Sequence, residues 1–593
     1  MPTNTELSEG WRSRLGRRSL LQSAAIGTGG LAAAALIGCG SDDEEESPPA
    51  SSGGATATAS ATAAAANDPR YPKDPSLQYP FNYPEPDKQP VAGGTLRVAA
   101  TWDVSTFDTT KTAAGGTIVV PNMVYNRLIG IKGGPTQNPF KIETAPELAK
   151  SWEVSPDGLT YQFKVQPGVK WQNVAPLNGR ALVADDIVFA LQRYSKEGVH
   201  KAYYETVDKI EAVDPSTVKI TLKKPTPEFE IPLGSRYQTI FPRELAESGE
   251  IEKKVIGTGP MILQEATPAQ RVILVKNPEY WRAKVLLDGA EFRMTPDAAA
   301  RLAAFRAKQV EYAYSVAPSK NDVEQLVKTV PDVQINHGAQ VNGILPFGMH
   351  VSNPKFQDER IRRALSLAID RKSVSTLLYQ GVAQELIHIL PWSYVFDEQP
   401  KDLGPWVKYD PAQAKQLLTA AGQENFSFNY AYFPYSTTYD RLSEILVDQF
   451  RTAGISMKGG KVDYTEFNSQ WVGGKLQEAT TSGWAALGFD ANTFFYNQIR
   501  SGAGGNRWQI KDSQIDAWAD EQSVELDPKK RRETQKKIWD RDLDQMYRPP
   551  LPYGYSYEIL QANLRGLRFG GVLGSNSSYY DWGAQIEHVW LDK

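Results

Sequence analysis

The only thiol in the 593 residues is Cys39, which rules out an intramolecular disulfide, a Cys-rich zinc site and a Cys-x-x-Cys redox pair. Five histidines, His200, His337, His350, His388 and His588, are scattered without the i, i+4 spacing that sets two imidazoles on one helix face, so no metal centre is expected. No Gly-x-Ser-x-Gly elbow, His-Glu-x-x-His helix or Walker A loop occurs. Gly502-Ala503-Gly504-Gly505 follows Arg500-Ser501 with no strand before it and reads as a loop rather than a phosphate cradle. Carboxylates remain: for a secreted saccharide or peptide hydrolase, residues such as Asp103 and Asp490 would have to act as a pair about 5 to 10 Å apart across one cleft. No cofactor is implied, and any ATP hydrolysis the protein depends on belongs to another polypeptide.

The first ninety residues position nothing catalytic, but they carry an address. Arg17-Arg18 precede an apolar and small-residue run from Leu20 to Gly38, which ends in Leu36-Ile37-Gly38-Cys39. A charged start, an apolar stretch and a small-residue cleavage site make a signal segment, excluded from the fold. The paired arginines resemble the twin-arginine export signal, and Leu-Ile-Gly-Cys resembles the bacterial lipobox, making Cys39 the expected lipidated first residue of the mature chain. An acidic run, Asp42 to Glu46, then Ser/Ala/Thr/Gly and Pro-rich stretches to Pro90, show no apolar periodicity and read as a solvated tether. As a flexible coil, about 50 residues reach about 40 Å from a membrane.

Composition places the remainder among folded soluble domains: 41% hydrophobic and 23% charged residues, a length that suggests about three or four domains. Residues 1–90 hold 7 of the 65 Lys/Arg and 11 of the 69 Asp/Glu, leaving 58 of each, so the net charge of -4 resides in the address and tether. A formally neutral body offers no attraction for nucleic acid.

Alternation predicts half-buried strands at Thr95 to Ala100, Leu159 to Val165, Thr217 to Leu222 and Arg271 to Val275. Helices are predicted where caps and apolar stripes coincide. Asp410-Pro411 opens one with Ala414, Leu417, Leu418 and Ala421 on a face and Gly422 as its left-handed stop. Asp185-Asp186 opens another carrying Ile187, Ala190, Leu191 and Tyr194; residues 439 to 453 form a third before Gly454; and residues 361 to 380 read as one stripe. Strands alternating with helices imply an α/β class.

The order of these segments is a resemblance. Gly93-Gly94-Thr95-Leu96-Arg97-Val98 with Thr106-Phe107-Asp108, Pro146-Glu147-Leu148-Ala149-Lys150-Ser151-Trp152, Gly168-Val169-Lys170-Trp171, Gly257-Thr258-Gly259-Pro260, Asn277-Pro278-Glu279-Tyr280-Trp281 and Asp358-Glu359-Arg360-Ile361-Arg362-Arg363-Ala364-Leu365 follow one another as in the family 5 extracellular solute-binding proteins, the dipeptide, oligopeptide and nickel class of ABC-importer receptors. The likeness covers nearly all of residues 91–593. It implies a bilobal clam of the type II periplasmic-binding-protein kind with an inserted α/β domain: lobe I at 91–110, 225–295 and 546–593, the insertion at 111–224, lobe II at 296–545. It also implies ligand capture by hinge closure and delivery to an ABC permease with a separate ATPase, by a monomer held to the extracytoplasmic face of the membrane by its lipid.

The resemblance assigns the site residues too. The segment Ser482-Gly483-Trp484-Ala485-Ala486-Leu487-Gly488-Phe489-Asp490 corresponds to one that lines the ligand cleft, so Trp484 and Ala485 are expected there. In peptide-binding members an Asp three residues after this Trp meets the peptide ammonium; here that position is Leu487, and loss of one partner of a buried ion pair costs about 3 to 5 kcal/mol. Asp490 would substitute only if the chain bends, since three residues along an extended strand point to the opposite face. Trp102, Asp103, Tyr203, Tyr204 and Trp392 are further cleft candidates. The implied ligand is a small organic solute, peptide-like or oligosaccharide-like; the competing reading is the hydrolase.

Overall fold

The computed structural model describes residues 88–592 except 113–115, 134–141, 317–318, 339–345, 435–436, 472–474, 476–477, 482–489 and 568–581. Cys39, Trp484, Ala485 and Leu487 therefore lie outside the described residues. The described residues all belong to one compact unit.

The chain enters through β1 (Thr95–Ala100), whose Leu96, Val98 and Ala100 are fully buried. It then leaves to build the insertion: β2 (Ala149–Val154), β3 (Thr160–Val165), helix α1 (Ala184–Glu197), β4 (Val207–Asp214) and β5 (Thr217–Leu222). These strands make an antiparallel sheet in the order β2-β3-β5-β4. Alternation puts Tyr161, Phe163 and Val165 inward from β3, against Ile187, Ala190, Leu191 and Tyr194 of α1. Asp186 starts that helix by accepting from the Val183 N–H at 3.0 Å.

The chain returns through β6 (Met261–Thr267), β7 (Arg271–Lys276) and β8 (Gly289–Met294), then β9 (Tyr312–Ala313) and β10 (Gln334–Gly338). Crossing over, it forms β11 (Phe347–Met349), helices α2 (Glu359–Leu367), α3 (Arg371–Tyr379) and α4 (Pro411–Ala420), β12 (Ser427–Tyr432), α5 (Thr437–Thr452), β13 (Ser456–Lys461) and β14 (Ala479–Thr481). Helices α6 (Ser513–Gln522) and α7 (Pro528–Gln545) follow, and β15 (Ser556–Leu560) brings the chain back.

Two further sheets result. The first has seven strands, β6-β7-β8-β1-β9-β15-β10, with β1 parallel to both β8 and β9. The second has the order β11-β14-β12-β13. Separate apolar cores belong to the two halves: one joins the first sheet and the insertion, and two others lie around the second sheet and around α6 and α7. The fold is the bilobal α/β architecture with an inserted sheet.

Several expectations change. β9 pairs Val98 with Tyr312, and β10 pairs Ile335 with Ile559, so this stretch, expected in lobe II, hydrogen-bonds into the first sheet. Conversely, Gln384 pairs with Tyr553 and Ala383 with Gly554, and Met546, Tyr547 and Tyr555 sit in a second-lobe core, so residues 546–555 stay with that lobe instead of lobe I. Hydrophobic order alone does not reveal which sheet edge a short strand finds. The single stripe at 361–380 is two helices, because Asp370 caps a new one by accepting from the Ser373 N–H at 3.0 Å. The buried Arg371 guanidinium fills the break, donating to the carbonyls of Ser366, Ile369, Val407 and Pro550 and to Ser366 Oγ.

The α4 ends match the sequence reading: Asp410 accepts from the Gln413 N–H at 2.8 Å, and Gly422 has φ +69°.

Candidate functional site

A cavity of ≈520 Å³ opens where three stretches meet: residues 199–206 of the insertion, 224–232 of the chain returning from it, and 490–497 with Ser523 of the second lobe. The volume falls within the roughly 300 to 1,000 Å³ usual for small-molecule sites.

On the insertion side, a short 3-10 turn, Lys201–Tyr204, follows His200. Tyr203 and Tyr204 are neighbours with opposite fates. Tyr204 is 4% exposed and donates from its hydroxyl to Gln238 Oε1 at 2.6 Å, which makes it core rather than cleft. Tyr203 lines the cavity and stacks on His200, with ring centroids 5.6 Å apart. The other His200 neighbour is Tyr237, at 4.3 Å. Burial, and next the charge of Arg236, lower the His200 pKa to about 4, so the imidazole is neutral at physiological pH. Its Nε2 is buried without a hydrogen-bond partner among the described residues.

The returning stretch carries Glu228 in a left-handed conformation, φ +59°, which a non-glycine residue adopts only under constraint. Its side chain meets the other lobe: Arg531 Nη2 of α7 donates to Glu228 Oε1. Burial pushes the Glu228 carboxyl up, Arg531 and the Ala491 N–H pull it back, and the charge of Asp490 opposes ionisation further. Nearby, Lys224 Nζ lies 5.7 Å from the Tyr496 ring centroid, a cation–π contact between the halves. Leu526 of the second lobe rests on the turn between β2 and β3: a Cβ at Gly158 would stand 3.0 Å from both its methyls.

Asp490 does not continue an extended strand. It caps the helical turn that follows, Oδ1 accepting from the Thr493 N–H at 3.0 Å and Oδ2 from the Thr493 hydroxyl at 2.8 Å. The turn runs as a π-helix over Thr493–Asn497, a form frequent at functional sites. Burial raises the Asp490 pKa, with the Thr493 bonds acting against it. From there the carboxylate lines the cavity opposite the insertion, and its charge is felt by the Tyr203 phenol.

The structure thus brings Tyr203 and Asp490 to one cavity and leaves the remaining described candidates elsewhere. Trp392, 4% exposed, packs in the second-lobe core. Trp102 is half-buried against Phe292 and Tyr314, at centroid distances of 5.6 and 6.1 Å. Asp103 braces two loops, Oδ1 accepting from the Val104 N–H at 2.8 Å and Oδ2 from the Ala269 N–H at 2.9 Å. Neither Trp102 nor Asp103 lines the cavity. His200, Glu228 and Arg531 escaped the sequence reading. Pro225-Thr226-Pro227-Glu228 signals only a loop, and the separation of 303 positions between Glu228 and Arg531 hides their pairing.

The cavity is thus walled by residues of both lobes. The family model described as Bacterial extracellular solute-binding proteins, family 5 Middle, matches residues 143–506. This chain belongs to that family. As a family 5 solute-binding protein it is similar to Heme-binding protein A of Haemophilus influenzae, 28% identical over 430 residues, which is 67% of this chain and 76% of that one. It is also similar to the Dipeptide-binding protein of Escherichia coli, 29% identical over 406 residues, 63% of this chain and 72% of that one. The solved structure of HbpA2 from Haemophilus parasuis shares the fold with a TM-score of 0.72 at 24% identity, covering 84% of this chain and 100% of that one. The hydrolase reading finds no support in the family, nor in the carboxylates named for it: Asp103 is braced in loops away from the cavity, and Asp490 is a helix cap.

Proposed function

We propose that this family 5 protein is a membrane-anchored receptor that captures a small organic solute, peptide-like or saccharide-like, between two lobes and hands it to an ABC importer whose permease and ATPase are separate chains. The observation that carries the reading is the cavity walled by both halves, with Glu228 of one and Arg531 of the other joined across it. A ligand that touches both walls favours the closed arrangement by its differential affinity for it, and the permease reads that arrangement.

The rest of the proposal follows the order of segments. Residues 1–38 are the export signal and Cys39 the lipid attachment, supported by Arg17-Arg18 and Leu36-Ile37-Gly38-Cys39. Residues 39–90 are the tether, and the insertion begins after residue 110. The receptor works as a monomer without turnover. Trp484 and Ala485 are ligand-binding residues, as the family resemblance implies, and Leu487 sets this chain apart from receptors that hold a peptide ammonium at that position.

A thermal-shift screen of peptides, sugars and opines, with mass spectrometry of what co-purifies, tests it. A true ligand raises the melting temperature through RT ln(1 + [L]/Kd), about 2.7 kcal/mol at 100 times Kd. Flat melting curves across the whole panel would sink the receptor reading. Radiolabelled palmitate incorporation, lost in Cys39→Ala, tests the anchor separately.

A further inference from the structure

Resting on the receptor reading, we infer that the solute of this cavity is a small organic cation, its ammonium or guanidinium set against the carboxylates of Glu228 and Asp490 and its other polar end against the imidazole of His200.

The charges on the wall give the first argument. Among the described residues, Glu205, Glu228 and Asp490 line the cavity, against Lys224 as the single lining cation. Lys224 is engaged over the Tyr496 ring. Arg531 lies behind the wall and reaches one oxygen of Glu228. The Asp490 oxygens receive the amide and hydroxyl of Thr493, with the backbone amides of Asn492 and Asp490 itself also acting on the carboxyl, all neutral donors. The Arg531 guanidinium pairs with Glu228, burial disfavours the charged form of both carboxyls, and the charge of Asp490 adds to that effect at Glu228. A ligand cation placed between them relieves both effects; a neutral ligand relieves neither.

The second argument concerns the two walls. Glu228 belongs to the stretch returning from the insertion, whereas Asp490 belongs to the second lobe. Bringing the lobes together sets Glu228 against Arg531, which favours closure, and against Asp490, whose like charge opposes it, an opposition that strengthens as water leaves. A solute can drive closure only through interactions that improve on closing, and a cation between these carboxylates does so. Charge on the solute is thereby coupled to the conformation that the importer reads.

His200 supplies an independent observation. Only 6% exposed, it lines the cavity with an Nε2 that has no hydrogen-bond partner among the described residues. A buried ring nitrogen without a partner is a destabilising feature that a ligand group removes. Because the ring is neutral, it offers one donor and one acceptor and no competing positive charge. The inference makes no use of position 487.

Calorimetric titration with matched ligands decides the matter. N-acetyl-arginine amide is compared with N-acetyl-citrulline amide, and Gly-Leu amide with N-acetyl-Gly-Leu amide, each a cation against its neutral counterpart, on the wild-type protein and on Glu228→Gln, Asp490→Asn and His200→Phe. In the wild type the cationic member of at least one pair should bind about 30-fold or more tightly than its neutral counterpart. Glu228→Gln and Asp490→Asn should each shrink that preference about 10-fold while leaving the neutral member within about threefold. Asp490→Asn keeps an oxygen for the Thr493 cap, and the wild-type comparison requires no variant at all. His200→Phe should weaken both members of a pair equally. Equal affinity within both pairs, or a preference that persists undiminished in both carboxamide variants, overturns the inference. Tight binding of a neutral sugar alongside silence from every cation overturns it too, but leaves the receptor standing. Silence from cations, neutral peptides and sugars alike removes both.

Discussion

Glu147, at the base of the insertion, and Glu228, on the cavity wall, are both largely buried carboxylates that meet an arginine, and the two pairs are built differently. Glu147 Oε1 accepts from Asn126 Nδ2 at 2.8 Å and from the Arg127 N–H at 3.1 Å; Oε2 accepts from Arg127 Nε at 3.3 Å, and Arg127 Nη1 goes on to the Gly234 carbonyl at 3.1 Å. Both side chains are 4% exposed and lie within one half of the molecule. Glu228 has its arginine in the other half, a second carboxylate beside it, and a cavity in front. The closed network is architecture, since its bonds are made before any ligand arrives. The open one retains capacity for a partner, and its arginine is lost if the lobes part. Incomplete compensation of buried charge, rather than burial itself, separates site from scaffold.

The largest test of that contrast is Arg127→Met. It strands Glu147 without its cation and should remove about 3 to 5 kcal/mol of stability, read by urea unfolding, while ligand affinity per folded molecule is unchanged. A change in affinity larger than the change in stability would erase the distinction between the two sites.

Glu558 is a third buried carboxyl, on β15 where the chain re-enters the first sheet, with the Tyr312 hydroxyl donating to it at 2.6 Å. Burial raises its pKa from 4.5 to about 8. The folded chain keeps this proton to about pH 8, whereas the unfolded chain releases it near 4.5. The stability it contributes is thus complete below about pH 4.5 and is lost as pH rises through about 8. Glu558→Gln should remove that slope and stabilise the protein at pH 8 by on the order of 2 kcal/mol. His200 acts with opposite sign: lowered from 6.5 to about 4, it contributes stability above about pH 6.5 that is lost as pH falls through 4. A stability profile of Glu558→Gln parallel to wild type from pH 5 to 8 would contradict the assignment.

The smallest effect is expected from Thr493→Val, which deletes one donor to Asp490 and leaves the backbone cap. Stability should fall by about 1 kcal/mol, and preference for a cationic ligand should rise, because Asp490 has one fewer competing bond. A falling preference would place Asp490 outside the binding wall.

Much of the fold was legible because local physics decided it. The alternation of Thr95 to Ala100 buries one face whichever strands lie beside it, and Asp410-Pro411 with Gly422 defines a helix through its own caps. The family motif around Glu147 was visible as a string of residues, and its cause, the Arg127 network, became visible only in three dimensions. The site was less legible. Tyr203 and Tyr204 are adjacent and chemically identical, yet a single step around a 3-10 turn sends one to the cavity and the other to Gln238. Trp392 looked like a cleft aromatic because it sits in an irregular stretch, but irregular chain also packs into cores.

The sequence by itself determined the class of this protein: its α/β segments, their family order, and the absence of a catalytic constellation. Residue type and near-neighbour spacing carry that information. Which short strands complete which sheet, and that Glu228 and Asp490 come from opposite walls to one cavity with His200 between the tyrosines, was decided by tertiary structure. Those relations depend on packing and charge between residues hundreds of positions apart, and no local propensity encodes them.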